Sequence, residues 1–178
     1  MERKVYLSDD VLSLSEYIEA KDDLDCYHCW QDEETQSGYN HKPIRSYKEW
    51  SENTTIKSRF IATIKRLSDN ISIGAIFLSP EDTPPDLAIM VFKPYRGNGY
   101  GTRAFLLGVK YCFEVLLLDY VYAGCYPYNL SSMKMLQKCG FVPHPEGNVN
   151  EKHYRTGEDI IQLDFVIHNV RRGLTNNE

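Results

Sequence analysis

No apolar run in the chain approaches the roughly 18 residues that a membrane-spanning helix requires, so no membrane partner is expected. Clustered lysine and arginine are also missing. The 20 basic residues face 25 acidic ones for a net charge of −5, and a broad nucleic-acid surface needs the opposite balance. Cysteine is scarce and odd in number, five in all, with none of the spacing of a secreted disulfide framework. The opening MERKVYLSDD has charge without the apolar core of a leader peptide. A cytoplasmic location with reduced, packed thiols is therefore expected. No repeat, low-complexity tract or Gly/Ser linker divides the 178 residues, and 1–178 is expected to form one domain.

Hydrophobic residues make up 42% and charged ones 25%, a mixture able to bury a sizeable core. Charge is unevenly placed. Residues 1–34 contain 11 acids against Arg3, Lys4 and Lys21, a local balance of −8 that leaves +3 for the remainder. This acidic segment is either a solvated face or an attractant for a cationic substrate.

Periodicity supplies the elements. A short strand is expected near Val5 to Leu7, a helical run through Leu12, Leu14, Tyr17 and Ile18, and a loop over 37–43. Ser46 and Glu49 have the spacing of a capping box at the start of another helix. Two strands, 59–67 and 70–79, read as a hairpin, with Ile71, Ile73, Ala75 and Phe77 on one face. The 86–93 strand is apolar on both sides, hence central. A glycine-rich turn, a helix to about residue 116 and a strand over 120–126 follow, a crossover unit that favours parallel pairing. A helix over 129–138, with Asn129 as N-cap and Gly140 as its stop, and a strand over 160–167 complete an α/β chain with a mixed sheet.

The most informative segment is VFKPYRGNGYGT at 91–102. Three alternating glycines, Gly97, Gly99 and Gly101, let backbone amides converge on a helix start, where the dipole stabilises an anion such as a diphosphate. The GxGxxG spacing of a dinucleotide site is absent, as is the GxxxxGK[ST] of a nucleotide triphosphate loop. A plain strand-to-helix turn is the alternative. Cys26-Tyr27-His28-Cys29 offers zinc-type ligands, but no second ligand pair follows, so no metal is expected. Cys125 and Cys139 read as packed thiols.

RGNGYG at 96–101 resembles the RxxGxG signature of the GNAT superfamily of N-acetyltransferases, and NLSSMKMLQKCGF at 129–141 resembles the downstream helix of that family. Trp30-Gln31-Asp32, Ile73-Gly74 and Asp86 ten residues before Arg96 resemble, more narrowly, the ribosomal-protein alanine acetyltransferases. The likeness is concentrated over 70–141. It implies a mostly antiparallel mixed sheet whose two central parallel strands splay apart, with cofactor motifs over 86–141 and acceptor-side elements over 1–58.

It also implies acetyl-CoA as co-substrate, a primary amine as acceptor, and direct transfer without a metal. The resemblance gives the pantetheine arm to the backbone of Ile89, Met90 and Val91, and the diphosphate to the amides of Arg96, Gly97, Asn98, Gly99, Tyr100, Gly101 and Thr102; the charge of Arg96 beside the turn makes it a candidate for a direct ion pair as well. Asn129 is assigned to the cofactor near the thioester. Asp86 is one candidate base for the acceptor ammonium, or simply a strand-start residue. Relatives often carry a thiolate-protonating Tyr where this chain has Leu136. Ser132 is the substitute that the narrower subgroup suggests, or a helix-capping hydroxyl; Tyr126 and Tyr128 are further options. The acceptor is expected to be a cationic small molecule or a protein N-terminus, and a homodimer stays open. The different reading is a catalytically silent acyl-CoA-binding regulatory module, suggested by Leu136 and the short Asp86.

Overall fold

Alternating leucine and serine begin the fold. In the computed structural model, which describes residues 3–42, 46–53 and 58–170, β1 (Val5–Ser8) and β2 (Leu12–Glu16) form an antiparallel hairpin. A helix was expected through Leu12 and Leu14. Leucines two apart also satisfy a strand, and both are fully buried while Ser13 and Ser15 bond to each other on the opposite face at 3.0 Å. β3 (Phe60–Arg66), β4 (Ile71–Leu78) and β5 (Leu87–Val91) continue the sheet in the order β1-β2-β3-β4-β5, every pair antiparallel.

The expected face of β4 breaks at one residue. Ile64 lies opposite Gly74 and Lys65 opposite Ser72, so Ile73 is the extra residue of a bulge. Ile73 therefore joins Ile76 and Leu78 in the main core while Ala75 packs on the other side, and Ile71 is exposed. Gly74 has a close-approach role: a Cβ there would lie 2.2 Å from the Met90 carbonyl oxygen.

The second sheet holds β6 (Tyr120–Cys125), β7 (Val142–Pro143), β8 (Val149–Lys152) and β9 (Asp159–His168), in the order β6-β9-β7 with β8 also on β9. Between β5 and β6 the described residues make one parallel bridge, Asp86 to Tyr122, with the Tyr122 amide donating to the Pro85 carbonyl at 2.8 Å. Beyond it the strands part.

Helices cover both faces. α4 (Tyr100–Glu114) and α5 (Leu130–Lys138) pack on Leu12, Leu14, Ile64, Ile76 and Leu87, with Phe105 between. Each such fully buried aliphatic side chain contributes about 1.5–3 kcal/mol. Leu106 of α4 and Val115 at its C-cap are exposed. On the opposite face lie α1 (Glu19–Trp30), α2 (Glu33–Tyr39) and α3 (Tyr47–Asn53), whose Cys26, Cys29 and Trp50 pack on Ala75 and Met90. α2 occupies part of the loop expected over 37–43, of which Pro43 lies outside the described residues. Asn40 ends α2 in the left-handed region at φ 49°. The Ser46 hydroxyl accepts the Glu49 amide at 3.1 Å, as in a capping box.

Candidate functional site

After β5 the chain makes one 3-10 turn (Lys93–Tyr95), then passes Arg96 and enters α4. Gly97 and Gly99 have φ of 77° and 78°, a region that costs other residues about 1–2 kcal/mol. Asn98 braces the turn by donating its side-chain amide to the carbonyls of Tyr95 and Arg96 at 3.2 and 3.0 Å. The amides of Gly97, Asn98, Gly99, Tyr100, Gly101 and Thr102 find no acceptor among the described residues. Gly97, Asn98 and Gly99 are exposed. Free amides at a helix start are the donors an anion needs. The Tyr100 ring, meanwhile, faces the Arg66 guanidinium at 6.0 Å.

Arg96 departs from expectation. Its guanidinium contacts Asp32 at 2.6 Å, Glu34 at 2.9 Å and the Thr35 hydroxyl at 2.7 Å, and its Nε donates to the Val91 carbonyl at 2.9 Å. Two carboxylates already pair with it, so its charge is engaged within the protein. Lys93 adds a 3.2 Å contact to Asp32. Burial alone would raise the Asp32 carboxyl, yet hydrogen bonds from Arg96, Lys93 and the Thr35 amide pull it down to about 2.

The edge of β5 divides by parity. Phe92 donates to Ile73 and Ser79 donates to Asp86 across the β4 pairing, so alternation turns the main-chain groups of residue 90 to β4 and those of 89 and 91 to the parted side. Met90 cannot offer its backbone to the cleft, a correction to its expected role. The Ile89 carbonyl accepts the Tyr39 hydroxyl at 2.5 Å, and the Val91 carbonyl accepts Arg96. Their amides are the groups left facing the gap.

Asp86 sits where the strands separate. Protein crowds its carboxyl from most directions and pushes it up to about 6, with the Asp164 charge adding. Solvent still reaches the residue, which tempers the shift without reversing it. Asp164 bonds the His144 ring at 2.8 Å. Nearby, Glu151 accepts from the Tyr126 hydroxyl at 2.8 Å and from the Asn40 side chain at 2.7 Å. Glu151 is thus held against the C-terminal end of α2 through Asn40, the Asp86 charge acts on Tyr39 there, and Asp164 acts on Asp86. The acidic N-terminal segment is another matter: Asp22 pairs with Arg3, Asp9 and Asp10 with Arg103, and Glu33 with Arg155. Those charges are spent within the fold, and Glu2 lies outside the described residues.

At the far side of the gap, the Asn129 side chain accepts the Ser132 amide at 3.1 Å and caps α5. Burial pushes the Cys125 thiol up to about 11, against a lowering influence from Ser132. Burial likewise raises Cys139 to about 11, so both cysteines are protonated and poor nucleophiles at neutral pH. Leu136 is 1% exposed and belongs to the main core. Tyr126 and Tyr128 stack 5.4 Å apart. Cys26 and Cys29 lie buried on one side of α1. Among the described residues no group of His, Cys, Asp or Glu is arranged to hold a metal, and no helix is long and apolar enough to cross a membrane.

Residues 13–142 match the family described as an acetyltransferase (GNAT) domain. The chain belongs to the GNAT acetyltransferases. "Probable N-acetyltransferase YjcK" of Bacillus subtilis is 36% identical over 88 residues, 49% of this chain and 47% of that protein. The chain spans about half the length of the curated relatives it matches. Among solved structures, spermidine N-acetyltransferase from Vibrio cholerae, in complex with CoA and spermine, superposes with a TM-score of 0.77 at 18% identity, covering 91% of this chain and 98% of that one. Ribosomal-protein-S5-alanine acetyltransferase from Vibrio fischeri gives 0.69 at 17% identity, covering 92% and 96%. At such identities these two show the shared GNAT fold.

Several members of this GNAT cleft were invisible in the sequence. Tyr39 and Asp164 come from elements read as a loop and as an unremarked strand residue, and Glu151 lies on β8, a strand with no expected counterpart. Asp32 was noted only as part of a resemblance. Its signal was the Asp-x-x-Thr spacing of an N-cap, which the structure forms with the Thr35 amide at 3.2 Å.

Proposed function

We propose that the chain moves an acetyl group from acetyl-CoA directly to a primary amine that belongs to a cationic molecule. One observation carries the reading: β5 and β6 part immediately after Asp86, and the glycine turn with its six unengaged amides ends the same strand. A diphosphate at the turn and a pantetheine arm along Ile89 and Val91 would bring a thioester into the gap. The spermine bound to the Vibrio cholerae neighbour and the carboxylates Asp86, Asp164 and Glu151 favour a polyamine-like acceptor over a protein N-terminus.

In this mechanism Asp86, as carboxylate, takes a proton from the acceptor ammonium, directly or through one water. The freed lone pair attacks the thioester carbonyl carbon. A main-chain amide of β5 stabilises the tetrahedral oxyanion. The C–S bond then breaks, the nitrogen gives up its second proton to form the neutral amide, and the departing thiolate takes up that proton while accepting a hydrogen bond from Ser132 in this reading. Gly97 to Thr102 and Asn129 act on the cofactor, not on the acceptor.

The experiment is CoA release from acetyl-CoA in the presence of spermidine, spermine, aminoglycosides and peptides with free N-termini. Turnover with the polyamines is expected. Tight acetyl-CoA binding with no turnover across the panel would favour the silent regulatory module, and no binding would end both readings.

A further inference from the structure

Arg96 belongs to two structures at once. Its main chain opens the glycine turn, and its side chain reaches 64 residues back along the sequence to Asp32, at the junction of α1 and α2. There it meets Asp32, Glu34, Thr35 and, at 3.7 Å, the Cys29 sulfur. The same guanidinium caps the Val91 carbonyl on the open edge of β5. One helix further on, Tyr39 of α2 caps the neighbouring open carbonyl, Ile89. The two acceptors that β6 would have satisfied in a closed sheet are therefore satisfied by side chains tied to the two ends of α2, Arg96 at its start and Tyr39 at its close.

We infer that Arg96 is a positioning residue which couples the glycine turn to α2, so that a diphosphate in the turn orders the acceptor side of the cleft. This rests on the acetyl-CoA reading above. A ligand held by the amides of 97–102 fixes the main chain from which Arg96 projects, and the four contacts its guanidinium makes with Cys29, Asp32, Glu34 and Thr35 carry that restraint to the corner. Linkage makes the effect reciprocal, so an acceptor that orders α2 tightens the cofactor by the same factor.

Asp32→Asn isolates the connection, because asparagine caps a helix as well as aspartate does while the ion pair is lost. Glu34→Gln is a second variant, at a mostly exposed carboxylate. Hydrogen exchange of the α2 amides with and without CoA is the readout, alongside calorimetric CoA affinity. In the wild type, CoA is expected to slow α2 exchange at least threefold. In Asp32→Asn and Arg96→Gln this protection is expected to vanish while CoA affinity stays within about threefold, with Glu34→Gln intermediate and Arg96→Lys restoring part of it. CoA that binds but leaves wild-type α2 exchange unchanged overturns the coupling alone. A tenfold loss of CoA affinity in Arg96→Gln, with none in Asp32→Asn, overturns it too and makes Arg96 a direct phosphate ligand. A wild-type chain that fails to bind CoA overturns the acetyl-CoA reading itself.

Discussion

The Tyr39 hydroxyl donates to the Ile89 carbonyl oxygen across 2.5 Å, joining α2 to the open edge of β5. Burial pushes the phenol up, so it remains a donor throughout the working range. Tyr39→Phe leaves the carbonyl uncapped in a cleft that water enters only in part. A loss of about 1–2 kcal/mol of stability is expected, read from urea unfolding, together with a raised KM for the amine. Unchanged unfolding would show that water replaces the hydroxyl without cost.

The turn, α4, α5 and the central strand β5 were legible because each rests on a local signal: glycine at positive φ, an Asn cap, apolar runs that fill a central strand; the parting of β5 from β6 was implied by the family resemblance alone. Beyond β1, the first 40 residues were not. Leu12 and Leu14 fit two periods at once, and pairing with β3 chose the strand. Met90 failed for a related reason, since a bulge and a register decide which amides face the gap, and neither leaves a mark in composition. Arg96 was assigned to a phosphate on its place in a motif, whereas its partners Asp32 and Glu34 are set by tertiary contact. Local chemistry survives translation from sequence; long-range pairing does not.

Asp86 gives a pH signature. A carboxyl raised to about 6 is protonated below that pH and cannot accept a proton from the amine, whereas above it the carboxylate is competent. Acceptor kcat/KM should therefore climb through about pH 6, and Asp86→Asn should flatten that limb and lower the rate by roughly 10²–10⁴. The same substitution should raise stability at pH 7, because the charged form is the one that crowding disfavours. An acid limb that persists in Asp86→Asn would assign the base elsewhere.

Ser132 and Asn129 separate capping from chemistry. The cap uses the Ser132 amide and the Asn129 oxygen, so Ser132→Ala keeps it intact. Turnover should fall several-fold with the acetyl-CoA Kd and Tm unchanged. Asn129→Ala removes the cap itself and should cost about 1 kcal/mol, visible in thermal unfolding. Equal destabilisation by both would mean that the Ser132 hydroxyl is structural.

The glycines of the turn are not equivalent, and two substitutions distinguish them. A Cβ at Gly99 would meet no protein atom within 4 Å, at φ 78°; valine there carries backbone strain of at least about 1–2 kcal/mol and fills the open side of the turn. A Cβ at Gly101 would lie in ordinary contact, 3.7 Å from the Met135 sulfur and from a Val91 methyl, at a helical φ. Gly101→Ala should therefore stabilise α4 by about 0.5–1 kcal/mol and leave CoA affinity within twofold, while Gly99→Val should weaken CoA at least tenfold by calorimetry. If Gly101→Ala weakens CoA equally, the diphosphate approaches between β5 and α5 and not from the solvent side of the turn.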